Sequence, residues 1–322
     1  MSAFKERPRL LIVTPNPAID ITHKLERMEH GETNRVVTVE RRAGGKGVNV
    51  ARIAAQLGAE VEVGGFVGGC NGAAFARLLD VDGLHQSWHF IDGETRCTVA
   101  VVDSSGATLL NEPGPVVTGE DWTHLTEETA GRLSKGSVIV LSGSYPPGTS
   151  ASDVLAFIDA VQAVGAHIIV DTSGPFLSLA ARAGADLLKP NSEELYEATG
   201  SVNPIEGASI LVSLGARAVV ASMGKEGLFL VTRVAERMRA WKATPPEVSA
   251  GNPTGAGDAV VAALALGVLD LGDTTPTLAG LADHLIRAAA LSASAVTDPT
   301  AGHVDLETYD RFLSQTTLEE IS

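Results

Sequence analysis

A Gly-Ala pair recurs in this chain between an amphipathic stretch and a short run of apolar, mostly β-branched residues. It occurs at Gly58-Ala59, Gly165-Ala166, Gly184-Ala185 and Gly215-Ala216. A glycine just past the end of a helix can adopt the left-handed conformation that ends it. Short apolar strands that alternate with helices indicate βαβ units, in which helices cover both faces of a mostly parallel sheet. The four junctions therefore predict an α/β fold, with a core of Ala, Val, Leu and Ile because only 4% of the residues are aromatic.

Two stretches interrupt this alternation. Residues 21–42, with a turn at Gly31, and residues 97–110 alternate apolar with polar side chains, as half-exposed strands do. We predict that they form a small separate sheet, the alternative being edge strands of the main sheet. The predicted organisation is one α/β core, residues 1–20, 43–92 and 113–322, and one β-sheet lid, residues 21–42 and 93–112.

The last third of the chain has helical periodicity. The predicted helices span residues 258–269, 278–295 and 306–313, and the acidic pair Glu319-Glu320 is expected to lie in a solvated tail.

The chain has 24 basic and 39 acidic residues, a net charge of −15. This charge argues against binding to nucleic acid or to an anionic membrane, since either would be repelled. It does not argue against small anionic substrates, because a few local cations are enough to bind them. No apolar run approaches the roughly 20 residues of a membrane helix, and the N-terminal run is too short for a signal peptide. These features predict a soluble, cytoplasmic protein.

Four segments carry residues suited to phosphate chemistry. Residues 251–258 (GNPTGAGD) precede an apolar helix, whose N-terminus favours an anion, and residues 43–49 (AGGKGVN) open another helix. Residues 189–194 (KPNSEE) fit either a helix-capping box or an Asn and a Glu that hold hydrated magnesium. Residues 222–227 (SMGKEG) fit either a hairpin turn or a nucleotide contact at the end of a strand. A Walker A motif and the dinucleotide fingerprint GxGxxG are both absent.

These segments, in this order, resemble those of the PfkB (ribokinase-like) carbohydrate kinases. The resemblance extends from residues 14–20 (TPNPAID) to the helix after Asp258. It implies a three-layer α/β/α core and a small β-sheet lid, so we expect a homodimer formed through the lid. It also implies ATP and Mg²⁺ as cofactors, Asp258 as catalytic base, and an anion hole at Gly255, Ala256 and Gly257.

The resemblance assigns further residues to the two ligands. Glu194 would hold magnesium, through water. The nucleotide-binding residues would be Asn191, Ser222, Gly224, Gly227 and Thr254. The substrate-binding residues would be Asp20, Arg35, Gly44, Gly45, Lys46, Asn49, Arg96 and Ser144.

Residues 33–35 (TNR), 93–96 (GETR), 111–115 (NEPGP) and 142–148 (SGSYPPG) resemble the branch of the family that acts on sugar phosphates. That branch comprises 1-phosphofructokinases, tagatose-6-phosphate kinases and the minor 6-phosphofructokinase. Arg35 and Arg96 could bind a phosphate through their forked donors, or be ordinary surface arginines of the lid. The expected reaction is phosphorylation of the free primary hydroxyl of a ketohexose phosphate, and the NEPGP segment favours fructose 1-phosphate. The alternatives are a kinase of free sugars or nucleosides, a non-catalytic sugar-phosphate sensor, and a dinucleotide-dependent oxidoreductase.

Overall fold

The computed structural model describes residues 9–248, 251–272 and 278–321. The strands are β1 (Leu10–Thr14), β2 (Ala18–Lys24), β3 (Thr38–Gly44), β4 (Val61–Gly68), β5 (His85–Ile91), β6 (Arg96–Asp103), β7 (Gly106–Asn111), β8 (Val138–Ser142), β9 (His167–Asp171), β10 (Leu187–Leu188), β11 (Ala218–Ser222), β12 (Leu228–Val234), β13 (Arg237–Thr244) and β14 (Thr317–Ile321). The helices are α1 (Lys46–Gln56), α2 (Gly69–Asp80), α3 (Gly119–Ala130), α4 (Ala151–Ala163), α5 (Pro175–Arg182), α6 (Ser192–Thr199), α7 (Pro204–Leu214), α8 (Ala256–Leu271), α9 (Leu278–Thr297) and α10 (Leu306–Leu313). Within the described ranges, no helix is both long enough and apolar enough to span a bilayer.

The main sheet has the strand order β14-β13-β12-β11-β10-β9-β8-β1-β4-β5. The strands from β11 to β5 are parallel, and β12, β13 and β14 extend one edge in antiparallel fashion. Strand β1 lies between β4 and β8, so the order of the strands reverses here, and later strands are added toward opposite edges of the sheet. Parallel sheets bind ligands in the crevice at the carboxyl ends of such strands.

Each predicted Gly-Ala junction ends a helix and starts a strand, as the sequence pattern requires. The glycines all have positive φ angles, +87° at Gly58, +74° at Gly165 and Gly184, and +139° at Gly215. Strands β4, β9, β10 and β11 begin within three residues of the respective junctions. The repeated junction therefore generates the parallel part of the sheet.

The sheet separates two hydrophobic cores, because alternate side chains of a strand point to opposite faces. In β8, Val138 and Val140 pack with helices α1, α2, α8 and α9, whereas Ile139 and Leu141 pack with helices α3 to α7. Helix α8 is almost entirely buried and consists mainly of Ala, Val and Leu. This arrangement confirms the predicted three-layer α/β/α architecture and the predicted aliphatic core.

A second sheet has the order β3-β2-β6-β7. Its strands come from the two stretches that were predicted to form a small separate sheet. Strand β2 begins at Ala18 and β3 ends at Gly44, a little outside the predicted limits. The alternation of apolar and polar residues stops at these two ends because both are buried against the core.

The C-terminal region contains the predicted helices as α8, α9 and α10, but its end differs from the prediction. Glu319 and Glu320 are exposed yet lie in strand β14 rather than in a free tail. They pair in register with Lys242 and Trp241 of β13, and Arg239 forms an ion pair with Glu320. This segment is too short and too polar for its sequence alone to predict a strand. It becomes a strand because the open edge of β13 supplies its hydrogen-bond partners.

Substitution of the helix-ending glycines by alanine should separate backbone strain from steric collision. A methyl group at Gly58 meets no atom within 4 Å, whereas one at Gly215 would lie 2.7 Å from the carbonyl oxygen of Ala181. We expect Gly58→Ala to lower the free energy of unfolding by about 1–2 kcal/mol, the cost of an L-residue in the left-handed region. Gly215→Ala should cost several times more in urea unfolding measurements. If both variants lost the same free energy of unfolding, a steric collision at Gly215 would be contradicted.

Candidate active site

A cavity of about 480 Å³ lies at the carboxyl edge of the main sheet. It is bordered by the first turns of helices α1, α6 and α8 and by the turn that follows β11. The predicted site residues that line it are Gly45, Lys46, Asn49, Asn191, Ser222, Gly224, Gly227, Thr254, Gly255, Ala256, Gly257 and Asp258. The structure thus brings together residues that are more than 200 positions apart in the sequence.

The N-terminus of α8 has the geometry of an anion cradle. Gly255 precedes the helix with a φ of +89°, and a methyl group there would lie 3.2 Å from the Cα of Ala301. A methyl group at Gly257 would lie 3.4 Å from the Nζ of Lys189, so glycine leaves the space in front of this cation open. The N–H of Ala256 donates to the carbonyl of Pro253 at 3.2 Å. The N–H of Ala256 is thus already paired within the chain. The predicted anion hole, which would combine the helix N-terminus with the buried Lys189, stays a prediction.

Asp258 lies in the first turn of α8, almost fully buried, and accepts a 2.8 Å hydrogen bond from the Nδ2 of Asn49. Burial, together with the negative charge of Asp171, raises the pKa of Asp258 to about 7. The Asn49 hydrogen bond, Lys46 and Lys189 each oppose this shift. A carboxylate poised near neutrality suits the exchange of a proton with a substrate hydroxyl.

Two lysines flank a carboxylate that the sequence reasoning missed. Asp171 ends β9 and is fully buried, with Oδ1 3.2 Å from the Nζ of Lys189 and 3.6 Å from the Nζ of Lys46. Burial alone would raise the pKa of Asp171, but the two lysines hold it below its usual value. Burial likewise lowers the pKa of Lys46, yet Asp171, Glu194 and Asp258 outweigh this effect and raise it. Lys46 therefore stays charged.

Signals for the missed pair were present in the sequence. Asp171 follows a buried apolar run, at the end of a strand where parallel sheets place ligand contacts. Lys189 stands directly before the Pro-Asn of the third motif. Neither residue could be recognised as a site residue from the sequence, because the two come together only when β9 and β10 pair as neighbours.

Asn191 and Glu194 form a complete capping box at the start of α6. Asn191 Oδ1 accepts from the N–H of Glu194 at 2.8 Å, and Glu194 Oε2 accepts from the N–H of Asn191 at 2.9 Å. The other oxygen of Glu194 lies 3.3 Å from the Nζ of Lys46. Within the described residues, no cluster of three or more His, Cys, Asp or Glu could hold a metal. A single acidic residue nevertheless fits magnesium, which keeps waters and binds phosphate oxygens.

The turn after β11 reaches the cavity next to Asn191, which bridges to Ser222 in parallel fashion. Gly224 and Gly227 have φ angles of +55° and +95°, and a methyl group at Gly227 would collide with the carbonyl of Ala243. The segment is thus a tight turn between β11 and β12, which confirms the predicted hairpin turn. It also lines the cavity, where the nucleotide contact was predicted.

Four further predicted substrate residues, Asp20, Gly44, Arg96 and Ser144, lie beside the cavity, at the base of the small sheet. Burial raises the pKa of Asp20 to about 6, against the opposing charges of nearby arginines, of which Arg96 is the strongest. A methyl group at Gly44 would collide with the Asp20 carboxylate. Asn16 links this group, since its carbonyl accepts from the Nε of Arg96 at 3.1 Å and its Nδ2 lies 3.4 Å from the Oγ of Ser144. Asn16 was missed, although it belongs to the segment 14–20 that carried the resemblance.

Arg35 is not brought to the cavity within one chain. It is exposed, in the loop between β2 and β3. Its predicted contact with a phosphate stays a prediction.

One cavity contains a helix N-terminus, a buried carboxylate poised near neutrality and two lysines. Together they suit phosphoryl transfer to a hydroxyl. The family model of pfkB family carbohydrate kinases matches residues 13–308. The chain therefore belongs to the PfkB family of carbohydrate kinases.

Individual relatives agree with this assignment. The chain is 33% identical over 304 residues to the 1-phosphofructokinase of Escherichia coli strain K12, covering 92% of this chain and 94% of that protein. It is 34% identical over 273 residues to the 1-phosphofructokinase of Xanthomonas campestris pv. campestris, covering 81% and 84%. Among solved structures, phosphofructokinase-2 from Escherichia coli in complex with potassium superimposes with a TM-score of 0.86 at 25% identity, covering 96% and 99%.

The hydrogen bond from Asn49 should control the pH dependence of activity. It stabilises the ionised form of Asp258, so Asn49→Ala should raise the pKa of the free enzyme's base. We expect the acidic limb of the kcat/KM profile to move upward by about one pH unit, since hydrogen bonds to charged groups contribute about 1.5–3 kcal/mol. Ser144→Ala should lower kcat/KM without moving the limb. An unmoved limb in Asn49→Ala would contradict this role.

Proposed function

We propose that this chain is a 1-phosphofructokinase, which transfers the γ-phosphoryl group of ATP to the free primary hydroxyl of fructose 1-phosphate. The observation that carries the proposal is the Asp258 carboxylate, buried at the N-terminus of α8 within reach of Asn49 and the two lysines. The 1-phosphofructokinases that match most of the chain at 33% and 34% identity support the choice of sugar.

In the proposed mechanism, Asp258 accepts the proton of the hydroxyl as its oxygen attacks the γ-phosphorus in line. Asn49 fixes one carboxylate oxygen, which leaves the other to face the substrate. The phosphoryl group in flight would lie at the start of α8, against the backbone of Gly255 to Gly257, with Lys46 and Lys189 compensating its charge. Preorganised charges of this kind need no rearrangement during the reaction.

The nucleotide would lie along the opposite wall of the cavity, against Asn191, Ser222, Gly224, Gly227 and Thr254. The family implies ATP as the phosphate donor. Bound magnesium would neutralise the phosphate oxygens as a Lewis acid, and we propose that Glu194 orients it through water.

The sugar phosphate would lie between the small sheet and the N-terminus of α1. Asp20 would accept hydrogen bonds from sugar hydroxyls above the glycines Gly44 and Gly45. Arg96 suits the phosphate because its Nε and Nη1 are already bonded to carbonyl oxygens, so the guanidinium plane is fixed before substrate binds. The small sheet would act as a lid that excludes water during transfer.

Tagatose 6-phosphate and fructose 6-phosphate are the alternative substrates. Each carries a phosphate at one end of a ketohexose and a free primary hydroxyl at the other.

A coupled assay of ADP release with the three ketohexose phosphates tests the proposal. We expect the highest kcat/KM with fructose 1-phosphate. The Asp258→Asn variant should bind both substrates but lose roughly 100- to 10,000-fold in kcat, the range for removal of a general base. Turnover close to wild type in that variant would refute Asp258 as the base.

The same assay separates the rival functions. A kinase of free sugars would phosphorylate fructose or ribose, and Arg96→Ala would leave that activity intact. A sugar-phosphate sensor would bind its ligand and release no ADP. For a 1-phosphofructokinase, Arg96→Ala should raise the KM for the sugar phosphate and leave the KM for ATP nearly unchanged.

We further propose that the protein is a cytoplasmic homodimer that pairs through the small sheet. The face of this sheet opposite Asp20 carries the apolar side chains of Val39, Val99 and Leu110, next to Arg41, while Ile21 on the same face packs against the main core. Val39 and Leu110 are about half exposed in the single chain, at 47% and 57%. An apolar sheet face of this kind favours a partner, and a second copy of the chain offers the same surface.

Light scattering after gel filtration tests the dimer. The wild type should have twice the chain mass of 33.3 kDa, and Leu110→Glu should shift it toward the monomer, because it places a charge in the apolar face. Leu109→Glu is the matched control, since Leu109 is equally exposed, at 61%, on the other face of the same strand. A monomeric wild type would refute the proposal.

A further inference from the structure

A larger cavity, of about 640 Å³, lies outside the phosphoryl-transfer site. It is bordered by the end of β3, the second half of helix α1 and residues 298–303, which follow α9. Arg52 and Gln56 face it from the same stripe of α1 that carries Asn49, one and two turns further along. Its volume is that of a small-molecule site, and none of the described residues that line it belongs to the predicted active site.

The carboxylates of this cavity are already matched. Asp82 accepts from the Nε of Arg52 at 2.8 Å. Asp298 accepts from the N–H of Thr300 at 2.8 Å and lies 2.6 Å from the Nδ1 of His303. These two aspartates therefore have little capacity left to compensate further positive charge.

The arginines, in contrast, keep unused donors. Arg52 is only 8% exposed, and its terminal nitrogens have no hydrogen-bond partner within the described part of the chain. The side chain of Arg42, at the end of β3, makes no hydrogen bond or ion pair within the described residues, although the nearby Asp20 carboxylate attracts both arginines at longer range. Two guanidinium groups with free donors thus border one cavity in a chain of net charge −15.

We propose that this cavity binds a small molecule through an oxyanion group, a phosphate or a carboxylate, held by Arg42 and Arg52. The planar fork of a guanidinium matches the paired oxygens of either group, and partial burial strengthens the attraction. The proposed ligand is not one of the two proposed substrates, although Arg42 lies opposite Asp20 on the same face of the small sheet, so the cavity adjoins the proposed sugar site.

The cavity is in contact with the catalytic machinery through the segment 298–303. The side chain of Gln56 donates to the carbonyl of Gly302 at 2.9 Å and accepts from the N–H of Val304 at 3.1 Å. A methyl group at Gly302 would lie 2.7 Å from the Oδ1 of Asn49, and Ala301 packs against Gly255. A ligand against Thr300 and Gly302 therefore touches the segment that supports Asn49 and the anion hole, which makes this a regulatory site.

Isothermal titration calorimetry tests the proposal. The probes are pyrophosphate and citrate, each titrated in the absence of nucleotide, sugar and divalent ions. Arg42→Gln should weaken binding of at least one probe by about tenfold or more, as expected for loss of a charge-assisted hydrogen bond. Arg41→Gln is the matched control, because it removes the same charge from the opposite face of β3. Arg41→Gln and Lys46→Ala should each leave this binding within about twofold of wild type. The stronger probe identifies the ligand as phosphate or carboxylate.

Three results would overturn the proposal. Equal weakening by Arg41→Gln and Arg42→Gln would show general electrostatic attraction. Weakening by Lys46→Ala with none by Arg42→Gln would assign the anion to the phosphoryl-transfer site. Absence of binding by both probes would remove the site altogether.

Arg52→Lys, which keeps the charge but loses the fork, should also weaken binding. No turnover is measured, so these outcomes are independent of which sugar the enzyme phosphorylates.

Discussion

The burial of the Asp258 carboxylate is the constraint on which the site depends. A carboxylate removed from water stays mostly protonated at neutral pH unless neighbouring groups stabilise its charge. Here Asn49, Lys46 and Lys189 supply that stabilisation, and Asp171 opposes it, so that the pKa of Asp258 is about 7. Asp171 also keeps the lysines in place, and its own burial is tolerable because it forms ion pairs with both of them. The acid-base group and the phosphate-binding cations are therefore parts of one electrostatic unit.

The fold assembles this unit from backbone features. The parallel order of β11 to β1 places the ends of β9, β10 and β11 side by side, and helices α1, α6 and α8 start at the same edge. Three helix N-termini thus point toward the region where phosphates would bind. The close approach requires glycine, since methyl groups at Gly255 and Gly302 would meet the neighbouring segment or Asn49.

The sequence predicted local features well and long-range ones less well. The Gly-Ala junctions predicted the parallel strands because helix ends and strand starts are local properties. The glycine-rich motifs predicted the helix N-termini for the same reason. Asp171, Lys189 and Asn16 were missed because their importance comes from contacts across neighbouring strands and loops. Strand β14 was missed because its pairing partner, β13, is about 75 residues away in the sequence. At Asn191 the helix-capping interpretation is confirmed, and the functional interpretation stays a prediction, supported by the position of this residue in the cavity wall.

The position of Asp258 also has a consequence for stability. Its pKa is about 7 in the folded chain against 3.8 for an ordinary aspartate, so the folded state holds this proton more tightly than the unfolded state. Its contribution to stability therefore falls as the pH rises from about 4 to about 7 and stays low above that range. A chain optimised for stability alone would replace this buried carboxylate by a neutral group. Its retention, together with the lysines that limit the cost, is explained by the need for a base whose proton affinity matches neutral pH.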